Sequence, residues 1–294
     1  IKKIKYVELK DVSMNDRDGY RMTPISAVCC GGVTLYLFSR KDGGRELVVC
    51  DSFISEGNPI FLNIGEKKPF AIFGGDCNSA AITDEGEIIF INSDSLMDSP
   101  ELPFDAVSLP DGEKASNVAC CNDSVLVLSS TGRLFLSDIK GGSSDLAFVE
   151  VLELQDEEIV FVSGTREHFF AVSKNGRVFG RGSNEFGRLG LGEGINSCLL
   201  FTEISALRKY EIKAAYAGCW HSLFETTDGK VLSCGSNSYG ELLLSSGPGE
   251  NVYLPSETTI TGGATFCIAG GYLSAVFIGG EPPPNMPNKR IKQF

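Results

Sequence analysis

Two stretches of this 294-residue chain are one unit written twice. Phe161 to Gly192 reads FVSGTREHFFAVSKNGRVFGRGSNEFGRLGLG, and Tyr216 to Gly240 reads YAGCWHSLFETTDGKVLSCGSNSYG. Degenerate copies lie upstream, IFGGDCNSAAITDEGEIIFIN at Ile72 to Asn92 and VACCNDSVLVLSSTGRLFLSD at Val118 to Asp138, and weaker ones run from Val28 to Val49 and from Cys267 to Gly280. The turn glycines of the first five units, Gly43, Gly86, Gly132, Gly176 and Gly229, stand 43, 46, 44 and 53 residues apart. A unit this short cannot bury both of its faces alone, so the copies must stack on one another, and a period of roughly 40–50 residues is that of a propeller blade.

Inside each unit a short apolar run (SAAIT, SVLVL, HFFAV, HSLFE) leads through a glycine turn (DEG, STG, KNG, TDG) into a second run (EIIFI, RLFL, RVFG, KVLSC), the pattern of a β-hairpin. A further run stands ahead of each hairpin, as in FVEVLEL from Phe148, LLFTEI from Leu199 and VYLPSE from Val252, so each unit offers three or four strands. Gly or Pro interrupts every stretch of helical length, and the fold class is all-β. Ring closure protects strand edges. The expectation is therefore a closed β-propeller of six blades over residues 1–280, with the N-terminal run KIKYVELKDV completing a last blade that begins near Val252. Residues 281–294, Pro-rich and then basic, read as an extended, flexible tail.

These repeats resemble those of the regulator-of-chromosome-condensation family, in which a G-x-x-H-S-L-A-L-T-x-D-G hairpin is followed by V-x-x-W-G-x-N-x-x-G-Q-L-G-L-G. The match runs through Gly218, His221, Ser222, Leu223, Thr226, Asp228, Gly229, Val231, Gly235, Asn237 and Gly240, and through Gly176, Val178, Gly182, Asn184, Gly187, Leu189, Gly190, Leu191 and Gly192. The first three units lack the G-x-N-x-x-G-x-L-G segment, and Arg181 or Cys234 stands where the family has tryptophan. The family norm is seven blades. The resemblance implies three functional classes: a protein-interaction scaffold, a guanine-nucleotide exchange factor for a Ran-type small GTPase, and an ultraviolet photoreceptor. The last needs clustered tryptophans, and Trp220 is the sole tryptophan.

A formal net charge of −12 opposes binding by neutralisation of phosphates, so no nucleic-acid partner is expected, and a basic or polar protein partner is. No apolar stretch approaches the ~20 residues of a membrane helix, and no membrane association is expected. Of the ten cysteines, the adjacent pairs Cys29–Cys30 and Cys120–Cys121 point to opposite faces of a strand and cannot clamp one ion. The rest sit where Ala, Val or Gly would pack. They read as reduced thiols, which predicts no metal site and a cytoplasmic or nuclear location.

Only two histidines exist, His168 and His221, at one repeat position, where the imidazole is expected to bond loop backbone and order the turn. Ser222 follows His221 directly, and strand neighbours face opposite ways, so the two form no nucleophile pair. The glycines of GRLGLGEG lead into no helix and cradle no phosphate. These exclusions predict a non-enzymatic, cofactor-free monomer acting as an interaction scaffold in a larger assembly, with exchange on a Ran-type GTPase as the alternative. The contact residues are expected on the loops at one end of the hairpins: Asp76, Asn78, Arg166, Glu167, Trp220, His221 and Tyr272.

Overall fold

The computed structural model describes residues 14–16, 19–30, 33–50, 59–92, 104–139, 146–260 and 262–279. Six antiparallel sheets follow one another along the chain, and the fold is a β-propeller. Sheet 1 has five strands (Met14–Asn15, Arg21–Cys30, Val33–Ser39, Arg45–Cys50, Ile60–Phe61). Four strands make each of sheet 2 (Pro69–Gly74, Asn78–Thr83, Ile88–Asn92, Ala106–Val107), sheet 3 (Ala115–Cys120, Ser124–Ser129, Leu134–Asp138, Val149–Glu150), sheet 4 (Ile159–Thr165, His168–Ser173, Val178–Ser183, Ser197–Glu203) and sheet 5 (Ile212–Ala217, His221–Thr226, Val231–Gly235, Val252–Glu257). Sheet 6 shows two, Ala264–Ala269 and Ser274–Ile278.

The second strands of sheets 2, 4 and 5 are buried at every residue. A neighbouring sheet covers each of their faces, and this is why the sequence shows short continuous apolar runs rather than a two-residue alternation. The five hairpin glycines all adopt positive φ, 76° at Gly176 and 80° at Gly229 for example, a backbone region that favours glycine. First strands from sheets 2 to 6 converge on a cavity of about 210 Å3 lined by Phe73, Val118, Phe161, Tyr216 and Phe266 among others, which marks the common axis.

One strand assignment differs from the sequence reading. The runs from Phe148, Leu199 and Val252 do not lead into the following hairpin. Val149–Glu150 pairs with Leu134–Asp138, Ser197–Glu203 with Val178–Ser183, and Val252–Glu257 with Val231–Gly235, so each is the outer strand of the preceding sheet. Sheet 6 accordingly starts at Ala264, not near Val252. The N-terminal run and the tail at 281–294 lie outside the described residues.

Seams between sheets are tied at one level. The Asn78 side chain of sheet 2 donates to the carbonyls of Cys121 (2.7 Å) and Asn122 (3.1 Å) beyond the first strand of sheet 3. The Cys121 thiol donates to the His168 carbonyl of sheet 4 at 3.2 Å. His168 Nε2 reaches Ser222 Oγ of sheet 5 at 3.2 Å, and His221 Nε2 reaches Ser274 Oγ of sheet 6 at 2.8 Å.

Candidate functional site

In sheets 2 to 6 the loops joining the first and second strand open onto the same end of the propeller. In sheet 4 this loop is only Arg166 and Glu167, since Thr165 pairs with His168, and Arg166 takes φ 53° to close it. In sheet 5 it is Gly218, Cys219 and Trp220, and in sheet 2 it is Gly75, Asp76 and Cys77.

Trp220 is the centre of the cluster these loops build. The Arg166 guanidinium lies over its ring at 4.0 Å from the centroid, the Arg188 guanidinium lies 5.0 Å away, and Phe186 meets it edge-on with centroids 5.5 Å apart. Cations over an indole face are attracted by the ring quadrupole. The two arginines are held differently. Arg188 is fully buried, with Nη1 donating to the Cys219 carbonyl at 3.1 Å, Nε to the Glu185 carbonyl at 3.2 Å and Nη2 to Glu185 Oε2 at 2.9 Å. Glu167 adds a second carboxylate at 3.5 Å. Burial pulls the Arg188 pKa below the usual guanidinium range, and Glu167 and Glu185 oppose that pull. Arg166, one-third exposed, has a single longer ion pair, to Asp76 Oδ2 at 3.7 Å. Asp76 Oδ1 also accepts from the Cys219 thiol at 3.7 Å.

What folds Arg188 inward is the short 3-10 turn Glu185–Gly187, in which Phe186 (φ 61°) and Gly187 (φ 83°) both adopt left-handed backbone. A Cβ at Gly187 would fall 2.6 Å from Tyr253 Cα, so the turn lies directly on the outer strand of sheet 5. The aromatic contact recurs one repeat later, where Tyr239 meets Tyr272 edge-on with centroids 5.2 Å apart. Both rings of this second pair are exposed.

Of the seven residues singled out in the sequence, Asp76, Arg166, Glu167 and Trp220 therefore meet in one cluster. Tyr272 stands in the neighbouring aromatic pair. Asn78 and His221 are buried in the inter-sheet seams described above. The histidines bond serine hydroxyls of the next sheet, not loop backbone. Each of those serines donates its one proton to a carbonyl, Ser222 to Arg188 at 2.7 Å and Ser274 to Glu241 at 2.6 Å, so the imidazoles donate from Nε2. Burial holds His168 well below its ordinary pKa, with Arg188 and His221 adding to the effect, and lowers His221 to about 4. Phe186, Arg188 and Tyr239 escaped the sequence reading. Their signal was the repeat itself, since Phe186 and Tyr239 occupy the same place in GSNEFG and GSNSYG. Among the described residues no three His, Cys, Asp or Glu side chains gather in a group able to hold a metal. Nor is any described helix long and apolar enough to cross a membrane.

The sequence profile of the regulator of chromosome condensation (RCC1) repeat matches residues 175–224, and a second profile of the same repeat matches 212–241, together spanning Phe186, Arg188, Trp220 and Tyr239. Residues 175–241 are thus RCC1 repeats. The human probable E3 ubiquitin-protein ligase HERC6 is 31% identical over 147 residues, covering 49% of this chain and 14% of the ligase. The mouse secretion-regulating guanine nucleotide exchange factor is 34% identical over 115 residues, 39% of this chain and 24% of that protein. The match thus spans less than a quarter of either relative. Prp20p of Saccharomyces cerevisiae shares the fold, with a TM-score of 0.69 at 17% identity over 87% of this chain and 70% of that one.

The relatives correct one expectation. The absence of catalytic side chains led to the reading that the protein is not an enzyme, and the match to an E3 ligase overturns it. Searching these residues for a nucleophile tests only this stretch, whereas RCC1 repeats also form part of much longer enzymes.

Proposed function

We propose that the end of the propeller around Trp220 is a protein-binding face that recruits a partner or substrate to a longer chain or assembly. The observation that carries this reading is the Trp220 cluster, an aromatic ring in contact with two guanidiniums, with Asp76, Glu167 and Glu185 around them. Trp, Tyr and Arg are the residues that dominate binding energy at protein interfaces. Tyr239 and Tyr272 extend the same surface. The net charge of −12 favours a partner with basic character over nucleic acid, and the cysteine spacing, unlike that of a disulfide framework, suits a cytoplasmic or nuclear setting. Similarity to a ubiquitin ligase supports recruitment as the role of the repeats within a larger protein.

Affinity capture from native extract tests the face, comparing the parent chain with Trp220→Ala and with Glu167→Lys. Loss of the same partner in both variants, with folding intact by circular dichroism, is expected. Retention of every partner would place the interface elsewhere.

A second reading is guanine-nucleotide exchange on a small GTPase of the Ran type, favoured by the similarity to the secretion-regulating exchange factor. Its test is release of a fluorescent nucleotide from the GTPase. The recruiting reading expects no acceleration, and a stable nucleotide-free complex would promote exchange over it.

A further inference from the structure

We infer that Arg166 is a displaceable latch on Trp220, and that the site beneath it takes an arginine side chain from a basic segment of the partner. The inference rests on the protein-binding reading above and adds the chemistry of the ligand.

Two guanidiniums contact one ring, and their anchoring is unequal. Arg188 has no exposed surface, three hydrogen bonds and two carboxylates. It belongs to the floor of the site. Arg166 lies closer to the ring, at 4.0 Å against 5.0 Å, but its only ion pair is 3.7 Å long and its buried Nε has no hydrogen-bond partner. Its backbone takes φ 53°, uncommon for a residue with a side chain. A short two-residue loop holds the guanidinium over the ring more than its own bonds do.

The surrounding charge favours another cation there. Asp76, Glu167 and Glu185 supply three carboxylates to two arginines, and Glu167 and Glu185 keep 49% and 58% of their side-chain surface exposed. Lifting Arg166 away would leave an indole face beside Asp76 with exposed acids around it. An arginine suits that place better than a lysine, because its planar fork stacks on a ring while donating sideways to carboxylates. Arg166 then occupies the position the partner's guanidinium takes, and removing it favours binding.

The chain's single tryptophan is the reporter, since fluorescence quenching reads this site alone. The probe is a fluorescein-labelled Gly-Ser peptide carrying three arginines, compared with the same peptide carrying citrulline or lysine, and read by anisotropy and by Trp220 emission. Arg166→Ala is expected to bind the arginine peptide about fivefold tighter than the parent, the factor that one exposed cation–π contact represents. Caesium quenching of Trp220 should rise in the same variant. Arg208→Ala removes the same charge at a site whose arginine pairs with Glu203, and is expected to leave affinity unchanged. Equal or weaker binding by Arg166→Ala would overturn the latch, as would equal tightening by Arg208→Ala or equal binding of the citrulline peptide. Any of these results leaves the capture experiment with Trp220→Ala standing, so failure of the latch and failure of the face are separable.

Discussion

Replacing Ser222 with alanine tests the seam between sheets 4 and 5. The hydroxyl accepts from His168 Nε2 at 3.2 Å and donates to the Arg188 carbonyl at 2.7 Å. His168 is fully buried and its Nδ1 has no partner, so the substitution removes the only polar contact of the ring. A buried donor left without an acceptor costs about 1–3 kcal/mol. The Arg188 carbonyl keeps the Cys234 thiol at 3.5 Å as a weak donor, so its share lies at the low end, about 0.5–1 kcal/mol. Ser222→Ala is therefore expected to lose about 2–4 kcal/mol. Urea unfolding followed by Trp220 emission reads this as a midpoint shift of about 1 M for a slope near 3 kcal/mol/M. The exposed Thr202→Ala, which loses only a local bond to the Leu200 carbonyl, serves as the reference. A double-mutant cycle with His168→Ala isolates the pair, and coupling above about 1 kcal/mol is expected. A Ser222→Ala loss below about 0.5 kcal/mol, or an additive cycle, would refute a stabilising role for the His168–Ser222 bond.

Because His168 and His221 are held below their ordinary value of 6.5, the unfolded chain binds protons that the native one does not once pH falls through that value. Stability should be flat in this term above pH 6.5 and fall toward pH 4 by up to about 1.4 kcal/mol per unit for each histidine; urea midpoints unchanged between pH 7 and 5 would contradict this. Gly182→Ala places a Cβ 2.1 Å from the Glu167 carbonyl oxygen at φ 106°, whereas Gly249→Ala meets nothing within 4 Å. The first is expected to cost more than about 3 kcal/mol and the second less than about 0.5 in the same unfolding assay. Lys213→Met leaves the buried Glu225 carboxylate with the Tyr216 hydroxyl but without the ammonium at 2.7 Å. A loss of about 3–5 kcal/mol is expected, most of it recovered in the double variant Lys213→Met, Glu225→Met, and a thermal melt without that recovery would show the ion pair to be incidental.

The hairpins were legible because each is local: glycine at the turn and two apolar runs within about 15 residues decide their pairing. Outer strands were not. Val149–Glu150 and Val252–Glu257 stand well beyond the strands they pair with in sequence, and nothing in their own pattern says whether they pair backward or forward. In the candidate site, Trp220, Arg166, Glu167 and Asp76 were found by asking which loops share one end of the hairpins. Arg188 was missed because a charged residue inside a glycine-rich loop reads as solvated, and its burial depends on a 3-10 turn and on the Cys219 carbonyl 31 residues away. Ser222 was compared with His221, its neighbour in sequence, although its hydrogen-bond partner His168 lies 54 residues back, about one repeat.

The four seam ties run in one sense around the axis: from Asn78 to the sheet 3 carbonyls, from Cys121 to sheet 4, from His168 to Ser222 and from His221 to Ser274, side chain of the earlier sheet to backbone or hydroxyl of the next. A run of sheets tied this way has a polarity. A cut at any of these four seams leaves unlike flanks, the earlier sheet keeping Asn78, Cys121, His168 or His221 and the later one the carbonyl or serine that each of them meets. A severed edge is therefore complementary to its opposite flank and not to a copy of itself, and it selects for rejoining in sequence order over pairing of like ends.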